Sequence, residues 1–278
     1  MATNSSKTNL LILMLFQGAL IGLGAVLPGI SGGVLCVIFG IYKPVMELLS
    51  DPIRNFKTHV PRLLPVIIGI AVGFLLISKL LSFLLNRYED PSVCLFVGLI
   101  VGMLPSLFRE AGEQGRSKGS FIAMAVAFAV ILSLLVSLRV ISVTIVPNFG
   151  WNLFCGFCVA LSIIAPGMSF STLLMPLGLY TPFVESIGNL DFVSLIPAGI
   201  GALLTVILLA RAITNLMTHY YSMVFHAIIG IVIAATLVII PFDSFLSVSS
   251  CLINLACLII GIVAALLLDR FNSRFEKA

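Results

Sequence analysis

Ten apolar segments, at about 10–27, 30–49, 63–86, 92–108, 120–139, 151–165, 168–187, 192–217, 222–241 and 248–268, leave only short polar connections in a chain of 278 residues. Several reach the roughly 20 residues that a helix needs to cross a bilayer, and the others suit a short or broken span. Hydrophobic residues make up 60% of the chain and charged residues 9%, where ordinary globular domains carry about a quarter charged. The sequence therefore reads as an all-α integral membrane protein with no soluble domain. Periodicity adds little, because such segments are buried in lipid or protein on both faces.

Charge and cysteine content remove other classes. The net charge of +4 is spread over several loops, and Arg109 to Lys118 is the one charge-rich tract, so no nucleic-acid surface is expected. The six cysteines lie mostly inside apolar runs, where Cys behaves as a small hydrophobe. Cys155-x-x-Cys158 has the spacing of a metal or redox half-site, but no second pair accompanies it, and packing is the expected role. The run Leu10 to Leu27 is long for a signal-peptide core and lacks a small-residue cleavage site, so it reads as a retained segment.

The second half repeats the first. LPGISGGVLCVIFGIYKPVME and APGMSFSTLLMPLGLYTPFVE align at a constant offset of 138, pairing Gly18 with Gly156, Pro28 with Pro166, Gly29 with Gly167, Ser31 with Ser169, Gly40 with Gly178, Tyr42 with Tyr180 and Glu47 with Glu185. After a shorter loop the register continues at 132, pairing Pro65 with Pro197, Gly69 with Gly201, Lys79 with Arg211, Tyr88 with Tyr220 and Gly98 with Gly230. Two homologous membrane repeats follow, 1–140 and 141–278, together one transmembrane domain.

Each half holds five apolar segments. If all cross, the second half starts on the opposite side and the repeats are inverted. If the two segments flanking each Pro-Gly-x-Ser break form a re-entrant hairpin, three transmembrane helices remain per half, and the odd parity still inverts them. With the N-terminus inside, the cytoplasmic loops collect Lys7, Arg54, Lys57, Arg62, Arg109, Arg116, Lys118, Arg270, Arg274 and Lys277, leaving Arg87 and Arg139 outside, as the positive-inside rule requires. Both termini are expected in the cytoplasm and the protein in the plasma membrane.

Interrupted apolar segments at matching places in two inverted halves point to a transporter's binding site near the bilayer midplane. Irregular backbone is tolerated there because it is buried or lines a cavity. Pro28, Gly29, Ser31, Gly32 and Gly33 form one break, and Pro166, Gly167, Ser169 and Ser171 the other. In each, Pro can end one segment while Gly and Ser open the next. That leaves unpaired N–H groups and a positive helix end to attract an anion, with hydroxyl donors beside them. Gly32 and Gly33 allow close approach by a bulky oxyanion such as phosphate. Kinking or packing is the bland alternative for a single Pro-Gly, but duplication in opposite orientation favours the anion cradle.

Lys79 and Arg211 are paired cations within apolar segments, each roughly two turns from an end, about 10 Å by helical rise. Snorkelling nearly accounts for either alone. As a pair they offer one cation near each membrane face, a point charge from Lys79 and a two-pronged grip from Arg211. Glu47 and Glu185, the paired acids, are placed to carry a coupling proton, to pair with these cations, or simply to face water. His226 lies in an apolar segment opposite Cys94 in the repeat, and reads as a packed histidine in preference to a proton relay.

PGISGG followed by FGIY, and PGMSFS followed by LGLY, resemble the paired signatures of the polyprenyl-phosphate transporter family over nearly the whole chain. The resemblance implies a flippase that moves undecaprenyl or polyprenyl phosphate from the outer to the inner leaflet, recycling the lipid carrier of cell-wall precursors. Ala25, Val34 and Phe170 depart from the family pattern, which carries an acidic residue, Thr and Gly there, so ion coupling and the symmetry of the second cradle are left open. The undecaprenyl pyrophosphate phosphatase family is the rival, having Pro-Gly-x-Ser followed by Arg-Ser. Here Gly32 and Phe170 stand where that Arg would be, and no paired-Glu motif accompanies them, so no enzyme is expected. A small-anion channel or exporter would share the cradle. The expected partners are the polyprenyl phosphate and membrane lipids, with a homo-oligomer left open and no cofactor, bound metal or nucleic acid required.

Overall fold

Backbone polar groups in hydrocarbon have no water to bond, so apolar segments must satisfy them internally as helices. The computed structural model describes residues 2–27, 39–41, 44, 52–141, 145–164 and 169–275, and among these there is no strand. The first half contributes α1 (Ala2–Val26), α2 (Pro52–Arg87), α3 (Glu89–Ala111) and α4 (Lys118–Val140). The second contributes α5 (Phe149–Ile164), the five-residue α6 (Phe170–Leu174), α7 (Tyr180–Gly188), α8 (Phe192–Ile239) and α9 (Val248–Phe275). Among the described residues, six stretches are long and apolar enough to cross a membrane: Leu63–Arg87, Glu89–Ala111, Lys118–Val140, Phe192–Leu209, Asn215–Ile239 and Val248–Arg270. The protein is an all-helical, multi-pass integral membrane protein.

Two segments expected to be separate, 192–217 and 222–241, are joined as α8, interrupted by the non-helical backbone of Tyr220 (φ −131°, ψ 34°). Tyr88, between α2 and α3, takes nearly the same conformation (φ −137°, ψ 59°). The segment expected over 168–187 is divided. A 3-10 turn at Met175–Leu177 and Gly178 in the left-handed region (φ 69°) separate α6 from α7. Gly40 is also left-handed (φ 68°), a conformation that a Cβ disfavours by about 1–2 kcal/mol.

Packing relies on backbone-to-backbone approach, because lipid gives apolar helices no hydrophobic reason to associate and small residues let them touch. A Cβ on Gly18 would lie 2.2 Å from the Val66 carbonyl, and one on Gly156 would lie 1.7 Å from the Ala198 carbonyl. Gly69 abuts the Leu15 carbonyl, and Gly201 that of Leu153, at the same two offsets. The order of contacts, Gly18 on Val66 and Gly22 on Ile70 and Phe74, makes α1 and α2 parallel.

The last two helices of each half exchange partners. α3 packs along α9, with Gly98 against the Leu258 carbonyl and Gly261 against that of Leu95, while the second arm of α8 packs along α4, with Gly230 against the Met124 carbonyl. Arg109 reaches Asp269 at 2.7 Å where α3 and α9 end together, and Arg139 Nη1 donates to the Val238 carbonyl at 3.0 Å where α4 and α8 end. Between these pairs, α3 and α8 run antiparallel. Ile100 shares a buried cluster with Ile228 and Val232, whereas Leu107 and Ala111 meet Phe225 and Ile229.

Candidate functional site

The described end of the second break, Ser169 to Ser171, adjoins the largest buried cluster among the described residues, which draws Val26 from α1, Ile77, Leu81 and Leu85 from α2, Phe96 from α3, Cys155 and Cys158 from α5, Phe170 and Leu174 from α6, and Tyr180 and Phe183 from α7. Cys155 and Cys158 are 1% and 0% exposed and pack as small apolar groups. Ser169 is extended (φ −115°, ψ 138°) and opens α6. Its Oγ lies 2.7 Å from Ser171 Oγ, and its carbonyl accepts from the Thr172 hydroxyl at 2.6 Å. Two serine hydroxyls hold two protons and share one bond, so the pair keeps one O–H to donate. Ser171 is fully buried and Ser169 half-buried, so the pair is accessible only from the Ser169 side.

Tyr180 couples this break to the end of α1. Its hydroxyl donates to the Val26 carbonyl at 3.1 Å across 154 residues. Val26 is in the last turn of α1, where helix carbonyls lack partners within the helix. The ring is held by Phe96 edge-on at 6.1 Å and by Phe170 at 5.9 Å, and Phe170 also meets Phe183 edge-on at 6.1 Å. Phe170 thus fills with a buried aromatic ring the position where a phosphatase would present a cation. Tyr180→Phe keeps the ring and removes the bond, and is expected to destabilise the protein by about 1–3 kcal/mol because a buried carbonyl loses its donor. A fall in the thermal midpoint in detergent, with helical content retained, checks this.

The remaining sequence-derived residues divide as follows. Pro28, Gly29, Ser31, Gly32, Gly33, Glu47, Pro166 and Gly167 lie outside the described residues. Lys79 is exposed on α2, and its Cγ is 3.1 Å from where a Cβ on Gly188 would stand, so its stem lies on the C-terminal end of α7. A cation there complements the negative end of that helix. Glu185 is exposed on α7, and among the described residues no ion pair joins it to Lys79. Residue 211 is in α8, with its side chain outside the described set. The structure therefore brings Ser169, Ser171, Tyr180 and the end of α1 together, with Lys79 beside α7.

Ser78 is a residue that sequence reasoning did not single out. It is fully buried beside Lys79, and its hydroxyl has no partner among the described residues. A serine adjoining a cation in an apolar run is a weak signal by itself, since a helical hydroxyl ordinarily bonds the carbonyl one turn back.

These features define a class: a multi-pass all-helical membrane protein whose broken segment places serine hydroxyls and a tyrosine inside the bundle. A family model for undecaprenyl phosphate translocase-like proteins matches residues 1–114 and 107–254, and the chain belongs to that family. It is 25% identical over 279 residues to a polyprenyl-phosphate transporter of Staphylococcus aureus, covering 94% of this chain and 97% of the relative. A polyprenyl-phosphate transporter of Vibrio cholerae is 34% identical over 95 residues, 34% of this chain and 29% of the relative. No solved structure matches the chain.

Proposed function

We propose that the protein transports polyprenyl phosphate, with undecaprenyl phosphate as the natural lipid, from the outer to the inner leaflet of the plasma membrane. The observation that carries this reading is the Tyr180 to Val26 bond, which ties the second Pro-Gly-x-Ser break to the end of the helix that leads into the first. The proposed substrate site is built around Ser169 and Ser171 beside the end of α1, and the first break, Pro28 to Gly33, which lies outside the described residues, is assigned to it from its sequence match to the second. The polar head is held by Ser31, Ser169 and Ser171 with the flanking Pro and Gly backbone, and Lys79 and Arg211 engage it near the two faces. The tail stays in lipid throughout. Fixed donors and a cation replace water around the phosphate and lower the barrier to moving charge through hydrocarbon. Glu47 and Glu185 are the proposed coupling acids.

The halves, 1–140 and 141–278, are proposed to be inverted repeats that rock about this site. The matched backbones of Gly40 with Gly178 and Tyr88 with Tyr220 support this. So does the antiparallel contact between α3 and the second arm of α8, since those helices correspond at the 132 offset. The names of the relatives favour transport over catalysis, and the buried Phe170 leaves a phosphatase short of a cation at that position.

Leaflet-resolved movement of undecaprenyl phosphate in vesicles containing only this protein tests the function, and unchanged flip rates against empty vesicles would reject it. The topology has its own check. Tags at both termini should be cytoplasmic, and cysteines placed near Pro147 and Asp243 should react with an impermeant reagent from outside. Termini on opposite faces would remove the inverted-repeat reading.

A further inference from the structure

Outside the broken segments, a cavity of about 330 Å³ opens where the α3–α4 connection meets the break in α8. It is lined by Gln114, Gly115, Arg116, Ser117, Ser120, His219, Tyr220, Tyr221, Ser222 and Met223. Its polar groups are held in place from behind. Arg116 donates through Nη2 to the Phe108 carbonyl at 2.8 Å, while its guanidinium lies over Gly112. The neighbouring Arg109 is taken by Asp269, so Arg116 is the guanidinium this cavity has. His219 Nδ1 lies 2.9 Å from the Asn215 carbonyl, which can only accept, so Nδ1 carries the proton; in the neutral ring Nε2 is then an acceptor, suited to the P–OH of a singly charged phosphomonoester, and it donates to phosphate oxygens only in the imidazolium form.

Behind these groups runs a chain of hydroxyls. Ser117 Oγ is 3.1 Å from Ser120 Oγ, Ser120 Oγ is 3.0 Å from Ser222 Oγ, and Ser222 Oγ is 3.4 Å from His226 Nδ1. His226 is fully buried between the rings of Phe108 and Phe121, and its Nδ1 is 2.7 Å from the Ser222 carbonyl. That carbonyl can only accept, so Nδ1 is a donor and takes no proton from Ser222. Three hydroxyl protons then serve two bonds between serines. One O–H donor is left over, and all three serines are among the residues that line the cavity. The arrangement is a net donor beside a guanidinium, which suits an anion with several acceptor oxygens, and it must outweigh the Glu110 and Glu113 carboxylates, which act on Tyr221 of the same lining.

We propose that this cavity binds a phosphomonoester head group through Arg116, His219 and the Ser117–Ser120–Ser222 hydroxyls. A second cavity of about 240 Å³, lined by Asn215, Leu216, His219 and Tyr220, shares two residues with the first and leads along the first arm of α8. Arg211 lies one turn before Asn215 on that arm, and the half-exposed Leu216 and Tyr220 offer apolar contact for the start of a prenyl chain. At the 132 offset, Ser222 corresponds to Asp90, a carboxylate that repels phosphate, so the site belongs to one end of the molecule. On the transport reading, that end is cytoplasmic and the cavity receives the phosphate after it leaves Arg211. The binding chemistry itself does not depend on that reading.

The test uses the full chain in nanodiscs, with hydrogen–deuterium exchange read at residues 112–123 and 215–224 while farnesyl phosphate or inorganic phosphate is titrated. Farnesyl phosphate is expected to protect both stretches. Arg116→Gln and Ser222→Ala should each raise the half-protecting concentration about tenfold or more, the effect of removing one hydrogen bond to a charged group. Ser222→Ala leaves the Arg116 contact to Phe108 in place and serves if Arg116→Gln disturbs the loop. Protection by inorganic phosphate alone would keep the phosphate site and reject a lipid as its source. No protection by either probe, or protection that neither variant weakens, would overturn the proposal. Failure of leaflet-resolved transport with protection intact would count against the transport reading and leave this site standing.

Discussion

Alanine at Gly156 is expected to separate α5 from α8 and to lower stability by about 2–3 kcal/mol or more, as forced overpacking does. The added carbon would stand 1.7 Å from the Ala198 carbonyl and 2.6 Å from its carbon. Both are backbone atoms, so no side chain can turn aside and the helices themselves must move. α5 and α8 flank the second break, and Cys155, Cys158 and Ala198 belong to its cluster. The change should therefore loosen the packing around Phe170 and Tyr180 as well. Gly199→Ala is the control: it lies in the same interface-bearing helix, but its Cβ would meet nothing within 4 Å. Alanine there should be neutral or stabilising by up to about 1 kcal/mol. Thermal midpoints of the two variants in detergent decide the matter, and equal midpoints would mean that the α5–α8 approach is not needed for stability.

Loss of transport is the expected result for both Lys79→Gln and Arg211→Gln, each reducing the rate about tenfold to a hundredfold if one charge-assisted contact of about 1.5–3 kcal/mol is removed. The sidedness carries the sharper information. Lys79→Gln should weaken binding of a short-chain polyprenyl phosphate at the outer face of oriented vesicles and leave the inner face largely unchanged. Arg211→Gln should do the reverse. Glutamine keeps polarity and much of the length, so a residue that merely snorkels would tolerate it with a small change in stability. Normal transport with equal binding on both faces would assign the two cations to snorkelling. Lys79 is exposed with its stem on Gly188, an arrangement that leaves the ammonium available to an incoming anion.

Much of the architecture was legible in the sequence because helix formation in a membrane is a local matter. The apolar runs around 63–86, 92–108, 120–139 and 248–268 lie within α2, α3, α4 and α9. Gly40 and Gly178 stand out in sequence as a matched pair, and both take the left-handed backbone that glycine permits. The run 168–187 could not be read as α6, a 3-10 turn and α7, since hydropathy does not register a break between apolar residues. The joining of two expected segments into α8 escaped for a related reason: Tyr220 interrupts the helix through its backbone angles alone. At the candidate site, the sequence singled out Ser169, Ser171 and Lys79. It gave no hint that Ser171 is sealed in the core or that Ser78 lacks a partner among the described residues.

Composition and segment length by themselves determined that this chain lives in a membrane as helices, and the repeated Pro-Gly-x-Ser motif marked where its substrate site is proposed. Which helices touch was decided by the tertiary structure alone. α3 lies on α9, α4 on the second arm of α8, and Tyr180 on Val26, each across a long stretch of chain. The physical reason is that lipid is as apolar as the helices it surrounds, so hydropathy sets no preference among partners. Close backbone contact at glycines and a few buried hydrogen bonds make the choice, and both depend on where distant residues arrive in space.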